Sequence, residues 1–515
     1  MPDRAIQDMV IGSGPAGVAV ATALLARGRS VTMIDGGKVL EPEALARQQA
    51  LAAQDPDTLA AAGRTAWQEP QYAAAPGQVR RYGSDFAMEP AAETFAETGG
   101  VALRASRAVG GLSNLWGAAV LPYRQRDMAG WPITAADLAP HYRAVAEMMP
   151  VAGQADDLST LFPAFATPLN APIPLSPQGA ELLLRLGAQR DALASQGITA
   201  GAARVAVSPG CHRCGLCLHG CPWNLIYAAR TTVAALKANP HFHHHPNATV
   251  RAVSETGDGV TAYLNTGQRL LANRLFIAAG VLETARIMLA SWPELATLTL
   301  LDSQQSFLPM LHRWRSTSPP DQPPHTTLPQ LFVELDDPAI SPHLIHAQIY
   351  SWNDHYARDL MANYGQKLPG SGPLWRGLSK RLMVAQLFLH SDHSARIALR
   401  RAADGRLIVS AQPGQDAAQV MQAATARLAS ALAKGGLVAL RFARRLGAPG
   451  ASFHTGGTFP MSETPTARQS DPLGRPGGAQ RIHIADASVF PSIPATTITF
   501  SAMANAHRIG SLAPE

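Results

Sequence analysis

The chain has 515 residues, 46% hydrophobic and 16% charged, a balance that suits a globular enzyme large enough for two joined domains. A net charge of +6 and a pI near 9.3 raise the question of a nucleic-acid partner. Only five of the 43 basic residues are Lys, however, and the Arg residues are scattered rather than gathered in a stripe with interleaved aromatics, which points away from a DNA or RNA reader. No stretch is apolar for long enough to span a bilayer, and no signal core precedes the first strand, so the expected location is cytoplasmic.

The first elements form a βαβ unit. Residues 9–11 read as a strand, Gly12-Ser-Gly14-Pro15-Ala16-Gly17 as a Gly-rich turn, and residues 18–27 as an apolar helix stopped by Gly28. Residues 31–34 form a second strand, ending in Asp35. Gly12 permits the tight turn, Gly14 lets backbone approach a pyrophosphate, and Gly17 lets helix and strand pack closely. The helix N-terminus, opening at Pro15 and Ala16, offers N–H groups and a positive dipole end to phosphates. Asp35 is placed to accept from a ribose hydroxyl. With strand, helix and acid in these positions the motif is a dinucleotide site, and these residues leave FAD or NAD open.

Residues 41–100 carry no recognisable chemistry. A Gly/Trp-rich loop follows Arg104, then a helix begins near Thr134, whose pairing with Asp137 predicts a capping box. Residues 150–178 read as a Pro-rich connector, 182–196 as one amphipathic helix, and 226–237 as another. The three-residue run His243-His-His245 before the next strands reads as surface or structural, a solvated loop being commoner for such a run than an adventitious metal site. A strand pair is expected at 248–253 and 261–264, and a buried strand over 274–280 turns at Gly280 into a helix at 282–289.

From about 300 to 450 the texture changes to alternating strands at 330–335, 343–350 and 395–399, closed by a helix over 416–446. Tyr350, Trp352 and His355 near the second of these suit either a pocket wall or the core, and the core is the commoner place for them. Gly-rich turns and a final helix from Ser501 end the chain. The expected fold class is α/β: a doubly wound, Rossmann-like dinucleotide domain with an inserted α+β substrate domain built on an antiparallel sheet. The expected boundaries are 1–165 and 166–299 for the first two parts of the dinucleotide domain, 300–449 for the substrate domain and 450–515 for the return.

Further motifs carry a resemblance. Val109-Gly110-Gly111-Leu-Ser113-Asn114-Leu-Trp116-Gly117 resembles the flavin-wrapping loop of the glucose–methanol–choline (GMC) oxidoreductases. Phe276-Ile-Ala-Ala279-Gly280 and its continuation to Arg286, His454-Thr-Gly-Gly-Thr458, Ile484-Ala-Asp486-Ala487 to Pro491, and Thr497 to Ala504 follow that family's order and spacing. The resemblance covers both ends and the middle and is weakest from 300 to 450. It implies FAD as cofactor, with Gly110, Gly111, Ser113, Asn114, Trp116, Val250, Ala279, Gly280, Asp486, Ala487 and Thr497 joining the Gly-rich turn in holding it. It also implies hydride transfer from an alcohol, with His454 as the base that takes the hydroxyl proton, a task for which imidazole is suited. No His lies between residues 101 and 140, so a non-covalent flavin is expected.

The sequence departs from the family at one position. The family's second catalytic His or Asn aligns with Ala495, which can neither hold nor polarise a hydroxyl. Either Thr496 or Thr497 takes the role, or a residue such as His390 reaches in from the 300–450 region, or the chemistry is not simple oxidation.

All four Cys lie in Cys211-x-x-Cys214-x-x-Cys217-x-x-x-Cys221-Pro222, the bacterial ferredoxin spacing for iron–sulfur ligation. Some branches of the resembled family carry a cluster near the flavin, and others carry a similar Cys-rich loop without one. A tight loop of reduced thiols, or one with a disulfide, stands beside the cluster as an equal reading; zinc fits less well, since its structural sites draw on two separated pairs. A cluster would make the enzyme a dehydrogenase with an electron-accepting protein partner. The leading expectation is oxidation of a small-molecule alcohol or sugar, the weakest part being a carbohydrate or glycan-linked substrate. A non-redox lyase or isomerase of the same fold, a partner-serving electron-transfer flavoprotein, and an NAD-linked reductase are the rivals.

Overall fold

Apolar runs at the start and middle of the chain meet in one parallel sheet. A computed structural model describes residues 6–55, 83–162, 169–313, 326–353 and 370–514. In it β1 (Ile6–Ile11) lies between β2 (Val31–Ile34) and β8 (Arg269–Ile277), parallel to both. Beyond β2 comes β5 (Phe242–His245), also parallel, and β19 (Ile482–Ile484) runs parallel to β8. An antiparallel meander of β7 (Gly259–Leu264) and β6 (Val250–Thr256) completes this sheet.

The helix Pro15–Ala26 packs on β1, and the last helix, Thr499–Leu512, packs on it in turn. Arg27 clamps that contact by donating to the carbonyls of Gly510 and Ala513 at 3.0 and 2.8 Å. Inside the sheet, the fully buried Asp8 carboxylate is held by the guanidiniums of Arg29 and Arg274. Burying that charge is tolerable only because it is paired.

A second, antiparallel sheet runs β16 (Leu437–Ala439), β10 (Gln305–His312), β13 (Leu382–Phe388), β12 (Ile345–Tyr350), β11 (Leu331–Leu335), β4 (Ile198–Ala202), with β17 (Arg445–Leu446) also on β10. Its period of two separates two faces. One face, including Leu308, Met310, Val333, Ile345, Ile349 and Leu387, packs against the helices Pro177–Gly187 and Ala417–Lys434. The other face carries Glu334, His346, Gln348, Tyr350, Gln386 and Phe388, brought side by side by the register Glu334↔His346↔Phe388. Because β4 comes from residues 198–202, the sheet draws strands from both sides of residue 300.

The third sheet is β18 (Thr455–Gly456), β9 (Leu298–Asp302), β14 (Arg396–Arg401), β15 (Leu407–Gln412) and β3 (Phe95–Glu97). It ties the residues around His454 to the strand that leaves the parallel sheet region.

These sheets are the α/β architecture expected from the sequence, and the capping box at Thr134 and Asp137 forms as read. Several element readings change. The run His243-His-His245 is strand β5, not a solvated loop, because its backbone pairs with β2. The helix expected over 416–446 ends at Lys434, where Gly435 and Gly436 follow and Gly436 takes a φ of +89°. The 182–196 segment is two helices, Pro177–Gly187 and Arg190–Ala194. Trp352 is buried, and His355 lies outside the described residues.

Candidate active site

Where the parallel strands end, the Gly-rich turn borders an open cleft. Each glycine of the turn has a different reason to lack a side chain. A Cβ on Gly12, whose φ is +99°, would stand 2.3 Å from the Ala278 carbonyl oxygen, and one on Gly17 would stand 1.9 Å from that of Gly12. Both are demanded by the protein itself. A Cβ on Gly14 would meet no protein atom within 4 Å, because it would point into the cleft. Gly14 is therefore a cradle that leaves room for something other than the protein, at the N-terminus of the helix Pro15–Ala26, where unpaired N–H groups favour phosphate.

Pro15, Ala16, Asp35, Gly111, Val250, Ala279, Gly280, Asp486 and Ala487 line this cleft with Gly12 and Gly14. Asp35 accepts from the Gly37 N–H at 2.8 Å and approaches His244 Nε2 at 3.2 Å, so β5 braces the carboxylate from the outer side. Asp486 is buried and accepts from the N–H groups of Gly280 and Ser488 at 3.0 and 2.9 Å and from Thr284 Oγ1. Burial pushes its pKa up despite those donors. The residues present fit a dinucleotide: a glycine cradle, a helix N-terminus, a carboxylate and nearby cations.

Sequence reasoning missed part of this lining. Ser13 accepts from the Gly110 N–H at 3.1 Å and so joins the turn to the flavin-type loop. Arg104, Arg107 and Arg286 also border the cleft and bring positive charge to it, with Arg286 held by Glu283 at 2.7 Å and by the Val250 carbonyl at 2.7 Å. Scattered single Arg residues give no local pattern from which to find them.

Other expected residues sit behind the wall. Ser113 accepts from the Ala229 N–H at 2.8 Å, Asn114 donates to the carbonyls of Val109 and Gly111 at 2.9 and 2.8 Å, and Trp116 Nε1 donates to the Tyr227 carbonyl at 2.8 Å. Arg230 donates to Asn114. These bonds fasten the loop 109–117 to the helix Ala229–Leu236, a positioning role.

The segment 453–455 crosses from the cleft to the antiparallel sheet. Phe453, held at a φ of +64°, and Thr455 line the cleft, while His454 between them turns to stack on Phe388, with ring centroids 4.8 Å apart and planes 20° from parallel. The backbone here is fixed by buried Asp302, whose carboxylate accepts from Gly450 N–H and Ser452 Oγ, both at 2.8 Å. Burial raises the Asp302 pKa to about 6. His454 Nδ1 is buried with no hydrogen-bond partner among the described residues. Burial, helped by the nearby His346, lowers the His454 pKa to about 3, so its imidazole is neutral at ordinary pH.

Facing His454 across Phe388 is an array that no motif announced. Tyr350 Oη donates to Gln348 Oε1 at 2.6 Å, Gln348 Nε2 donates to His346 Nε2 at 3.2 Å, and His346 Nδ1 donates to Glu334 Oε1 at 2.7 Å. Glu334 and His346 are both fully buried. The far end approaches the flavin-type loop, since Tyr350 Oη lies 3.8 Å from where a Cβ on Gly117 would stand.

The position aligned with the family's second catalytic residue holds buried Ala495. Thr497 Oγ1 is engaged by the Leu121 N–H at 2.7 Å, whereas Thr496 Oγ1 is buried with no partner among the described residues. His390 stacks on His343 at 3.7 Å with planes 9° apart, and its Nδ1 accepts from the Asp392 N–H at 3.1 Å. Although His343, His390 and Asp392 offer three metal-type ligands, parallel rings aim their lone pairs alongside one another rather than at one point.

The four Cys line a very small cavity shared with His212, Arg213, Trp223, Leu225, Ile226 and Leu328. Gly215 and Gly220 curl the backbone around it at φ values of +77° and +89°. Burial holds Cys217 up to about pKa 12 and Cys214 up to about 11, and raises Cys211, so the thiols are protonated and weakly nucleophilic unless a cation neutralises them. No three of the sulfurs gather within 4.8 Å of one another, a wider spacing than four thiolates around one zinc ion at about 2.3 Å require.

Residues 384–506 match the C-terminal domain of the family model described as GMC oxidoreductase. Among solved structures, pyridoxine 4-oxidase from Mesorbium loti shares the fold, with a TM-score of 0.57 and 13% sequence identity over 98% of this chain and 98% of that one. No curated protein matches the sequence. No helix of the described residues is long and apolar enough to cross a membrane.

Proposed function

We propose that this chain, whose residues 384–506 match the C-terminal GMC oxidoreductase model on a shared whole-chain fold, is an FAD-type alcohol dehydrogenase or oxidase that oxidises a hydroxyl of a small polar substrate held between the cleft and the antiparallel sheet. The observation that carries this reading is the segment 453–455, which lines the cofactor cleft with Phe453 and Thr455 and presents a neutral, unpartnered imidazole between them.

FAD would be held non-covalently by Gly12, Gly14, Pro15, Ala16, Asp35, Gly111, Val250, Ala279, Gly280, Asp486 and Ala487, and when bound it supplies the acceptor for a hydride from the carbinol carbon. Gly17, Gly110, Ser113, Asn114, Trp116 and Thr497 hold the backbone that surrounds it. His454 takes the hydroxyl proton, for which a neutral imidazole is the competent form. Thr496, whose hydroxyl has no described partner, is positioned in the segment where the family's second residue stands. The 300–449 segment supplies most of the substrate wall. Its Glu334–His346–Gln348–Tyr350 array and Gln386 suit a polyhydroxy compound, so a carbohydrate or glycan-linked alcohol is the substrate class we favour.

Cys211, Cys214, Cys217 and Cys221 would hold an iron–sulfur cluster, which supplies a one-electron exit towards an acceptor protein. The loop lies against the flavin-type loop through Arg230, which donates to Asn114 and to Asn224. The deciding experiment is a visible spectrum with iron and sulfide analysis on anaerobically purified protein, followed by anaerobic addition of a panel of alcohols and sugars. Flavin bands bleached by a sugar are expected, over a broad absorption with stoichiometric iron. A bound flavin that no hydroxyl compound bleaches would overturn the oxidoreductase reading, and bleaching without iron would return the Cys to a structural loop and make oxygen the first acceptor to test.

A further inference from the structure

The outer edge of β10 is covered by the segment 437–446, which turns through a short 3-10 helix, Arg441–Ala443, between β16 and β17. Phe442 at its tip is 89% exposed, more than any other large apolar residue described, and Val438, Leu446 and Phe307 on the same edge are also exposed. Single exposed apolar side chains are ordinary on a protein surface, but a phenyl ring lifted almost wholly into water at the end of a turn costs solvation and packs nothing.

The charge around it is one-sided. Between Asp416 and Glu463 the chain has no acidic residue, and exposed Arg441 and half-buried Arg444, whose Nη1 is buried, flank Phe442. Neither guanidinium has a carboxylate partner among the described residues, whereas many other Arg residues of this Arg-rich chain are paired. An apolar tip set among unpaired cations is the arrangement that lodges in the headgroup region of a bilayer, with the ring among the acyl chains and the guanidiniums on lipid phosphates. The apolar surface offered by four side chains is small beside the roughly 800 Å² per partner of a stable protein interface. It is enough for reversible attachment to a surface that is itself anionic and fluid.

We propose that the 437–446 edge is a peripheral docking site for an anionic lipid bilayer, with Phe442 as the inserted anchor and Arg441 and Arg444 as the phosphate-binding cations. The same chain segment runs on to Gly450, Ser452 and His454, so docking would place the enzyme with this edge against the membrane and its catalytic segment just behind.

Co-sedimentation of the flavin-loaded full-length protein with vesicles tests this, using phosphatidylcholine alone and phosphatidylcholine mixed with phosphatidylglycerol. Binding is expected to the mixed vesicles only, to weaken as salt rises, and to fall about tenfold or more in Phe442→Ser, the loss of one buried aromatic side chain. Arg441→Ser with Arg444→Ser should abolish the preference for the anionic vesicles. None of the three lines the cofactor cleft, so an unchanged flavin spectrum reports that the variants are folded. Failure of the wild-type protein to sediment with the mixed vesicles, or equal sedimentation of wild type and Phe442→Ser, overturns the proposal. A concentration-dependent dimer by light scattering that Phe442→Ser dissolves, without vesicle binding, would assign the edge to a second copy of the chain instead.

Discussion

The cleft at the Gly-rich turn and the buried array on the antiparallel sheet obey different rules, the first set by backbone and the second by side chains. Around the Gly-rich turn the decisive property is the absence of atoms: Gly12 and Gly17 are required by neighbouring carbonyls, and Gly14 by the space in front of it. On the antiparallel sheet the decisive property is a chain of donors and acceptors from Tyr350 to Glu334, shut away from water beside His454. A backbone wall is specified by steric exclusion and can be written in six consecutive residues. A side-chain array is specified by pairing between strands, and each buried member left without a partner, as Glu334 Oε2 is among the described residues, carries a desolvation cost.

Breaking the backbone wall should have the largest effect. Gly17→Ala places a Cβ 1.9 Å from the Gly12 carbonyl oxygen, a backbone atom that cannot give way. No flavin-loaded protein is expected from this variant on purification. Gly14→Ala sharpens the contrast: its Cβ meets no protein atom, so the apo-protein should melt as wild type while flavin affinity drops.

Next in size is the residue between the cleft-lining Phe453 and Thr455. His454→Ala should lower kcat by ~10²–10⁴-fold, the usual contribution of a positioned base, with flavin content unchanged. Near-normal turnover in a flavin-loaded variant would remove His454 from the chemistry.

Removing one member of the side-chain wall should cost stability. Glu334→Ala leaves the buried His346 without its carboxylate and is expected to destabilise by ~3–5 kcal/mol in urea unfolding, the range for breaking a buried pair. Replacing both residues by apolar ones of similar volume should recover much of that loss, whereas an equal loss in the double variant would show that the pair itself stabilises the fold.

The smallest expected effect is a slope with pH. The unfolded chain takes up a proton on His454 near pH 6.5, which the folded protein resists until about pH 3. This group's contribution to stability is therefore fully present above pH 6.5 and declines as pH falls through that window. His454→Gln should flatten the difference in urea midpoint between neutral and acidic buffer. His390 and His483, each lowered to about 4 by burial, will retain part of the slope. An unchanged slope in the variant would mean that His454 is not held neutral by its surroundings.

Much of the fold was readable because its signals are local. The βαβ opening, the strand running into Gly280 and the capping box at Thr134 each depend on a few neighbouring residues, and each forms. The errors fall where a local pattern was overruled from a distance. His243-His-His245 looks solvated by composition, yet pairing with β2 makes it a strand and turns His244 towards Asp35. What no local pattern showed is that Ser113, Asn114 and Trp116 also bond to residues 227–230, more than a hundred positions away.

By itself the sequence determined the sheet-and-helix class, the glycine cradle and the spacing of the four Cys, because backbone conformation and short-range ligation depend on contiguous residues. Only the tertiary structure decided which lone Arg residues border the cleft, that Glu334 and His346 face each other across two strands, and that His454 Nδ1 is buried without a hydrogen-bond partner among the described residues. Those properties depend on register and burial, which are set by contacts between residues far apart in the chain and leave no period or motif behind.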